Sequence, residues 1–365
     1  MSRLSRPRAF AFTAGLATLL ACANLLAAQA PPPAPVVAPA AADLDRVWHL
    51  GRVTGDLERI IAFYHDLVGL GLRGARNQPR PFAGNATINE FVNAPAEAEY
   101  RAAFLPIPGA SAATDPQNQV YLEAFEYRNV ERHQHRPALS SPGVSSLKIL
   151  VRDLTTVVTA AKAAGVAVVT AGGEPVPVPA PSGLTGSARA IMLRDPDGYP
   201  VELVEVAPTP RSLAPESGNV LGAHMSVVVT DAAASLAFYR RLAGSELQAW
   251  SSPWQAGKSI SQLRGIPEAE FRTASVLLPG STIVLELIEF RGIPPQPPYR
   301  PVFQDIGFGH VAFIAKDVGV VVDRIKELGL RTISQSGTWT QINPTTRAVY
   351  TRDRDGFFVE VLERR

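Results

Sequence analysis

Cysteine is nearly absent from this chain. The one residue, Cys22, lies among the first thirty positions, so a chain cleaved after Ala30 would carry no thiol. Disulfides and thiolate ligands are then excluded, and any bound metal would have to be held by histidine and carboxylates. Histidine is itself scarce, at six residues, so each one weighs in the argument. Charge of one sign is also missing. The net charge is only +2 and no basic stripe occurs, which argues against a nucleic-acid partner. Beyond residue 30 there is no long apolar run, so no membrane span is expected in the mature chain.

The one long apolar stretch is at the start. Arg3, Arg6 and Arg8 precede an apolar segment from Ala9 to Ala28, and Ala28-Gln29-Ala30 offers a small-x-small cleavage site. Residues 1–30 are therefore expected to be a secretory signal peptide, which would place the protein in the periplasm or outside the cell. Leu19-Leu20-Ala21-Cys22 offers a second cleavage point, which would leave a lipid anchor at Cys22. Thr13, Asn24 and the many alanines make the segment a weak membrane span. Residues 31–43, opening PPPAPVVAPAAA, read as an extended Pro/Ala tether.

The body of the chain repeats. His49 in VWHLGRVTGDLERIIAFYHDLVGL and His224 in GAHMSVVVTDAAASLAFYRRLAG each sit on a strand-like run. An Asp follows seven residues on (Asp56, Asp231), then a helical run with an aromatic pair (Phe63-Tyr64, Phe238-Tyr239). The endings also match, RDPDGYPVELVE at 194–205 and RDRDGFFVEVLE at 352–363. A repeat fixes the architecture before any other reading. Two more openings, SLKILVRD (146–153) and HVAFIAKD (310–317), raise the count of units to four. Each opens with a strand, then an Asp placed to cap a helix, a helix ending at Gly, and β-rich runs broken by Pro and Gly. All the helices but the third show an apolar stripe. The D-P-D-G and D-R-D-G segments read as hairpin turns. The expected fold is α+β, four βαβββ units forming two modules with curled mixed sheets. The modules are expected at 44–207 and 220–365, joined by a linker at 208–219.

With these motifs the chain resembles the vicinal oxygen chelate superfamily, which includes glyoxalases, fosfomycin-resistance proteins and extradiol dioxygenases. The residues that carry the resemblance best are GHVAFIAKDV (309–318), LELIEF (285–290) and RDRDGFFVEVLE, and it covers nearly all of the chain past the leader. It implies sheets curled around a cleft that holds one divalent metal ion (Zn, Ni, Co, Mn or Fe), with ligands from the first and last strand of each unit. Carried over, the ligands of the second module are His224, Glu286, His310 and Glu360. The first module offers His49, Glu123, Ser146 and Glu202, and Ser146 in place of an imidazole marks that site as degenerate. The offsets between corresponding positions, 175, 163, 164 and 158 residues, stay in a narrow band. Beside the resemblance stands a physical argument. Glu286 and Glu360 share strand faces with apolar residues, where a carboxylate needs a cation or a proton. Glu126 and Glu289 would face inward instead if the strand register slipped. The resemblance leaves one matter open, because units can also swap between modules. His310 and Glu360 would then face His49 and Glu123.

The resemblance implies a glyoxalase-like lyase or isomerase acting on a small substrate with neighbouring oxygens, with Glu360 first and Glu286 second as the base. An extradiol dioxygenase is the alternative. Its triad would be His224, His310 and Glu360 with iron, and Tyr350, ten residues before Glu360, would be catalytic. A non-catalytic binder is the third reading, with Trp250, Trp254, Trp339 and the lid-like GIPPQPPYRP (292–301) holding a flat ligand. Lys258, Arg264 and Arg272 could hold an acidic group. Segments 76–118, 171–187 and 250–272 would set the substrate. The RHQH cluster (132–135) reads as a solvated loop, and the chain as a monomer or homodimer.

Overall fold

The computed structural model describes residues 43–111, 118–213 and 217–365. The expected signal peptide, Cys22 and nearly all of the tether lie outside these residues. No helix among the described residues is long and apolar enough to cross a membrane.

All four units form as α+β elements. Their opening strands are Leu44–Thr54, Ser145–Val151, Val220–Val228 and Gly309–Ala315. The helices that follow are Leu57–Ile61, which runs on as a π-helix over Ala62–Leu67, then Leu154–Ala163, Ala232–Ala243 and Val318–Glu327. Asp56, Asp153, Asp231 and Asp317 each cap the helix by accepting backbone N–H bonds in its first turn. The third helix also buries a stripe, but its first turn does so with Ala232 and Ser235, so an apolar count misses it.

The closing strands are Tyr121–Arg128, Pro200–Ala207, Val284–Arg291 and Phe358–Arg364. Each carries a Glu-x-x-Glu, at 123/126, 202/205, 286/289 and 360/363. The second Glu of each pair accepts the first helical N–H of its own unit. These bonds are Leu57 N to Glu126 (2.9 Å), Leu154 N to Glu205 (2.8 Å), Ala232 N to Glu289 (2.9 Å) and Val318 N to Glu363 (3.1 Å). Three residues along a strand is an odd step, so the first Glu points to the opposite face. The register is thus settled: Glu126 and Glu289 serve the helices, and Glu123 and Glu286 face away from them.

The units pair in an order that the linear modules do not follow. Two curled sheets form. In one, the opening strands of units 1 and 4 lie side by side, antiparallel, with His49 opposite Ala312 and Gly51 opposite His310. In the other, units 2 and 3 join in the same way, with Lys148 opposite His224 and Ser146 opposite Ser226. The chain leaves the first sheet after unit 1 and returns to it for unit 4. The helices fill the space between the sheets, and one core of residues such as Leu50, Ile60, Leu147, Phe238, Leu287 and Val361 runs through both. The two predicted hairpin turns are present, and Asp195 and Asp353 hold them by accepting backbone N–H bonds from the residues that follow.

Candidate metal centre

The first sheet brings together His49, Glu123, His310 and Glu360. His49 and His310 come from the two central strands, Glu123 and Glu360 from the strands flanking them. Gly51 makes the approach possible, because a Cβ there would lie 1.9 Å from an atom of the His310 ring. The Nε2 atoms of His49 and His310 are 3.0 Å apart. His49 Nε2 also lies 2.9 Å from a Glu123 oxygen and 3.0 Å from a Glu360 oxygen, and His310 Nε2 lies 3.5 Å from Glu360. Tyr350 donates its hydroxyl to Glu360 at 2.7 Å and sits 3.2 Å from His310 Nε2. All four metal-ligating candidates are buried.

The electrostatics ask for a cation. Burial opposes charge on His49, yet Glu123 and Glu360 outweigh it and raise its pKa to about 10. Burial would protonate Glu360, but His49 and His310 hold it down to about 2. Burial lowers the pKa of His310. Among the described residues, no Lys or Arg ion-pairs with Glu123 or Glu360. Two buried carboxylates and two imidazole nitrogens aimed at one another suit a divalent ion of the zinc, nickel or iron class, whose positive charge would take the place of the proton on His49. The residues fit the group. His49, Glu123 and Glu360 line a cleft of about 400 Å³ whose walls are aromatic, with Trp48, Phe91, Tyr100, Phe125 and Phe303.

The second sheet holds the corresponding residues in a different state. Where the first has Ala312, Gly51, His310 and Tyr350, the second has Lys148, Ser226, Ser146 and Met192. The Lys148 ammonium lies 2.9 Å from Glu286 and 3.4 Å from Glu202. Burial lowers its pKa, but the two carboxylates outweigh that and raise it to about 12. Burial favours protonation of Glu286, and Lys148 holds it ionised. Ser146 and Ser226 hydroxyls bond each other at 2.6 Å, and the buried Arg264 donates to Ser226 at 3.0 Å. His224 accepts the Val284 N–H on Nδ1 at 3.0 Å. The neutral ring then carries its proton on Nε2 and has no lone pair left for a metal. Burial and Lys148 lower the His224 pKa to about 4.

The expected set His224, Glu286, His310 and Glu360 is therefore not brought together. His224 and Glu286 belong to the other sheet. The cause is the antiparallel pairing of the opening strands of units 1 and 4, which puts His49 and Glu123 beside His310 and Glu360. Several other expectations shift with it. Arg272 and Arg291 stack on Trp254, and Arg347 stacks on Trp339, and neither indole lines the cleft. Trp250 lines a separate cavity of about 250 Å³ beside His224. Arg264 is buried as described, and Arg272 is paired with Glu289. Segment 292–301 runs past Pro142 and the Arg354 turn rather than over the cleft. Trp48 and Phe303, which line the cleft, were not singled out from sequence; Trp48 stands next to His49, the one available signal.

The Glyoxalase/Bleomycin resistance protein/Dioxygenase superfamily model matches residues 46–203 and 223–361. No curated protein matches the chain. Among solved structures, glyoxalase I from Zea mays is 21% identical with a TM-score of 0.53, covering 87% of this chain and 92% of that one. A putative dioxygenase from Bacillus subtilis is 12% identical with a TM-score of 0.50, covering 89% and 86%. At such identities the likeness is one of fold. The family match spans all four units, and the chain belongs to the Glyoxalase/Bleomycin resistance protein/Dioxygenase superfamily.

Proposed function

We propose that the protein is a divalent-metal-dependent lyase or isomerase of glyoxalase type, acting at the centre formed by His49, Glu123, His310 and Glu360 on a small substrate with two neighbouring oxygens. The observation that carries this reading is that two carboxylates flank one imidazole but are tethered unequally. Glu360 is held by His49, His310 and Tyr350. Glu123 is touched in the cluster by His49 alone. A bound divalent ion would act as a Lewis acid on the substrate oxygens. Glu360 is then the fixed ligand. Glu123 is the carboxylate free to take a proton from the carbon beside the carbonyl and return it to the neighbouring carbon. Such a transfer needs no external oxidant, and the aromatic walls hold the substrate and limit water. Earlier in the chain the leader supports a site of action outside the cytoplasm.

The test is Glu123→Gln on a 2-hydroxycarbonyl substrate in deuterated water. The reading expects turnover and deuterium incorporation to vanish while metal stays bound. Unchanged turnover would overturn it. A second reading rests on Tyr350. His49, His310 and Glu360 form a two-histidine, one-carboxylate set, and a hydroxyl stands beside it. Oxygen uptake with a catechol by the iron-loaded protein would select this dioxygenase reading over the first.

A further inference from the structure

The chain crosses between its two sheets twice, at 129–144 from unit 1 to unit 2 and at 292–308 from unit 3 to unit 4. The two crossovers run together. Ile306 N donates to His133 O at 2.8 Å, and Gln134 pairs with Ile306 as a parallel bridge. His133 and His135 flank the paired residue, so their side chains leave the same side of an extended segment. Both meet Asp305. His133 Nδ1 is 3.2 Å from one carboxylate oxygen and His135 Nε2 is 3.0 Å from the other.

We propose that His133, His135 and Asp305 form a second divalent-cation site, separate from the cleft, that staples the two crossovers. Three features support it. Asp305 is buried, and the backbone N–H groups of His133 (2.9 Å) and Val302 (3.0 Å) aim its two oxygens. The imidazoles are about half exposed, which leaves an entry path and room for water to complete the coordination. The outward nitrogen of His133 lies 3.2 Å from Glu131, a second carboxylate that can hold the Nε2 proton and leave the Nδ1 lone pair facing Asp305. A lone pair facing a carboxylate needs a proton or a metal between them. A tetrahedral ion bound at about 2.0–2.1 Å keeps its donors about 3.3 Å apart, close to the 3.0 and 3.2 Å here, and the ligand atoms of all three residues lie within 4.8 Å of one another. Two imidazoles and one carboxylate select zinc, copper or nickel over magnesium or calcium. The site also bears on the cleft. Phe303, two residues from Asp305, packs against His310 (5.7 Å between ring centres) and Tyr350 (4.6 Å), so fixing this crossover fixes a cleft wall.

The test uses the full chain carrying His310→Ala, which empties the first centre. Titrated with zinc at neutral pH, it is expected to bind one further ion per chain and to unfold at a higher temperature when loaded. Adding His133→Ala or His135→Gln should abolish both effects, and these half-exposed positions tolerate substitution. Copper(II) loading should show two nitrogen ligands by electron paramagnetic resonance. No zinc bound in the His310→Ala protein, or binding that His133→Ala leaves intact, would overturn the staple. Neither result touches the first centre, whose ion is read from the difference between wild type and His310→Ala.

Discussion

The two sheets pose one problem and solve it differently. Each gathers two glutamates at matching strand positions, Glu123 with Glu360, both buried, and Glu202, buried, with Glu286, partly buried. Uncompensated, such a pair is costly. In the second sheet the chain supplies the cation, with Lys148 between the carboxylates and Arg264 nearby. In the first, Ala312 stands where Lys148 would be, and Gly51 and His310 stand where a serine pair would be. Small residues there leave room for a second imidazole and for a cation from outside. The four exchanges are mutually consistent, so one sheet reads as a site and the other as its filled counterpart.

The comparison breaks most sharply at Gly51. Gly51→Ala keeps every ligand, but its Cβ overlaps the His310 ring. The first centre should lose its metal altogether, as read by elemental analysis, while Ser226→Ala at the matching position, which removes the hydroxyl bonded to Ser146 and Arg264, should cost about 1–3 kcal/mol of stability and leave the metal in place. Lys148→Met tests the other side. It leaves Glu202 and Glu286 without their ammonium, and the urea midpoint should fall by an equivalent of about 3–5 kcal/mol. An unchanged midpoint would mean that the carboxylates do not depend on Lys148. Tyr350→Phe, toward the apolar Met192 of the second sheet, should be the mildest. It removes the hydroxyl that orients Glu360, and competition with a chelator should show metal affinity reduced about 10-fold.

Much of this was legible in the sequence. The four openings, their capping aspartates, the turns and the α+β fold all follow from local pattern, and the structure carries each. The superfamily is legible as well, because the opening and closing motifs that carry the resemblance recur at matching places along the chain. The site was half legible. His310 and Glu360 stand at the centre in either pairing, but sequence order favours pairing neighbouring units, and with it His224 and Glu286 over His49 and Glu123. Strand partners far apart in the chain leave no periodic trace. Two signals would have decided it. Gly51 lies two residues past His49 where Ser226 lies two past His224, and only glycine leaves space for an opposing imidazole. Lys148 lies two past Ser146, on the same face and beside two glutamates. The fourfold Glu-x-x-Glu would also have fixed the register, since the second Glu in every pair is spent on a helix N-terminus.

The central claim is that the metal centre lies in the sheet of units 1 and 4. The most direct test is the metal content of wild type, His310→Ala, His49→Ala and His224→Ala purified without chelator. The account predicts that His310→Ala and His49→Ala each lose one equivalent and that His224→Ala loses none. Loss in His224→Ala with retention in His49→Ala would contradict it and put the centre back within the second linear module.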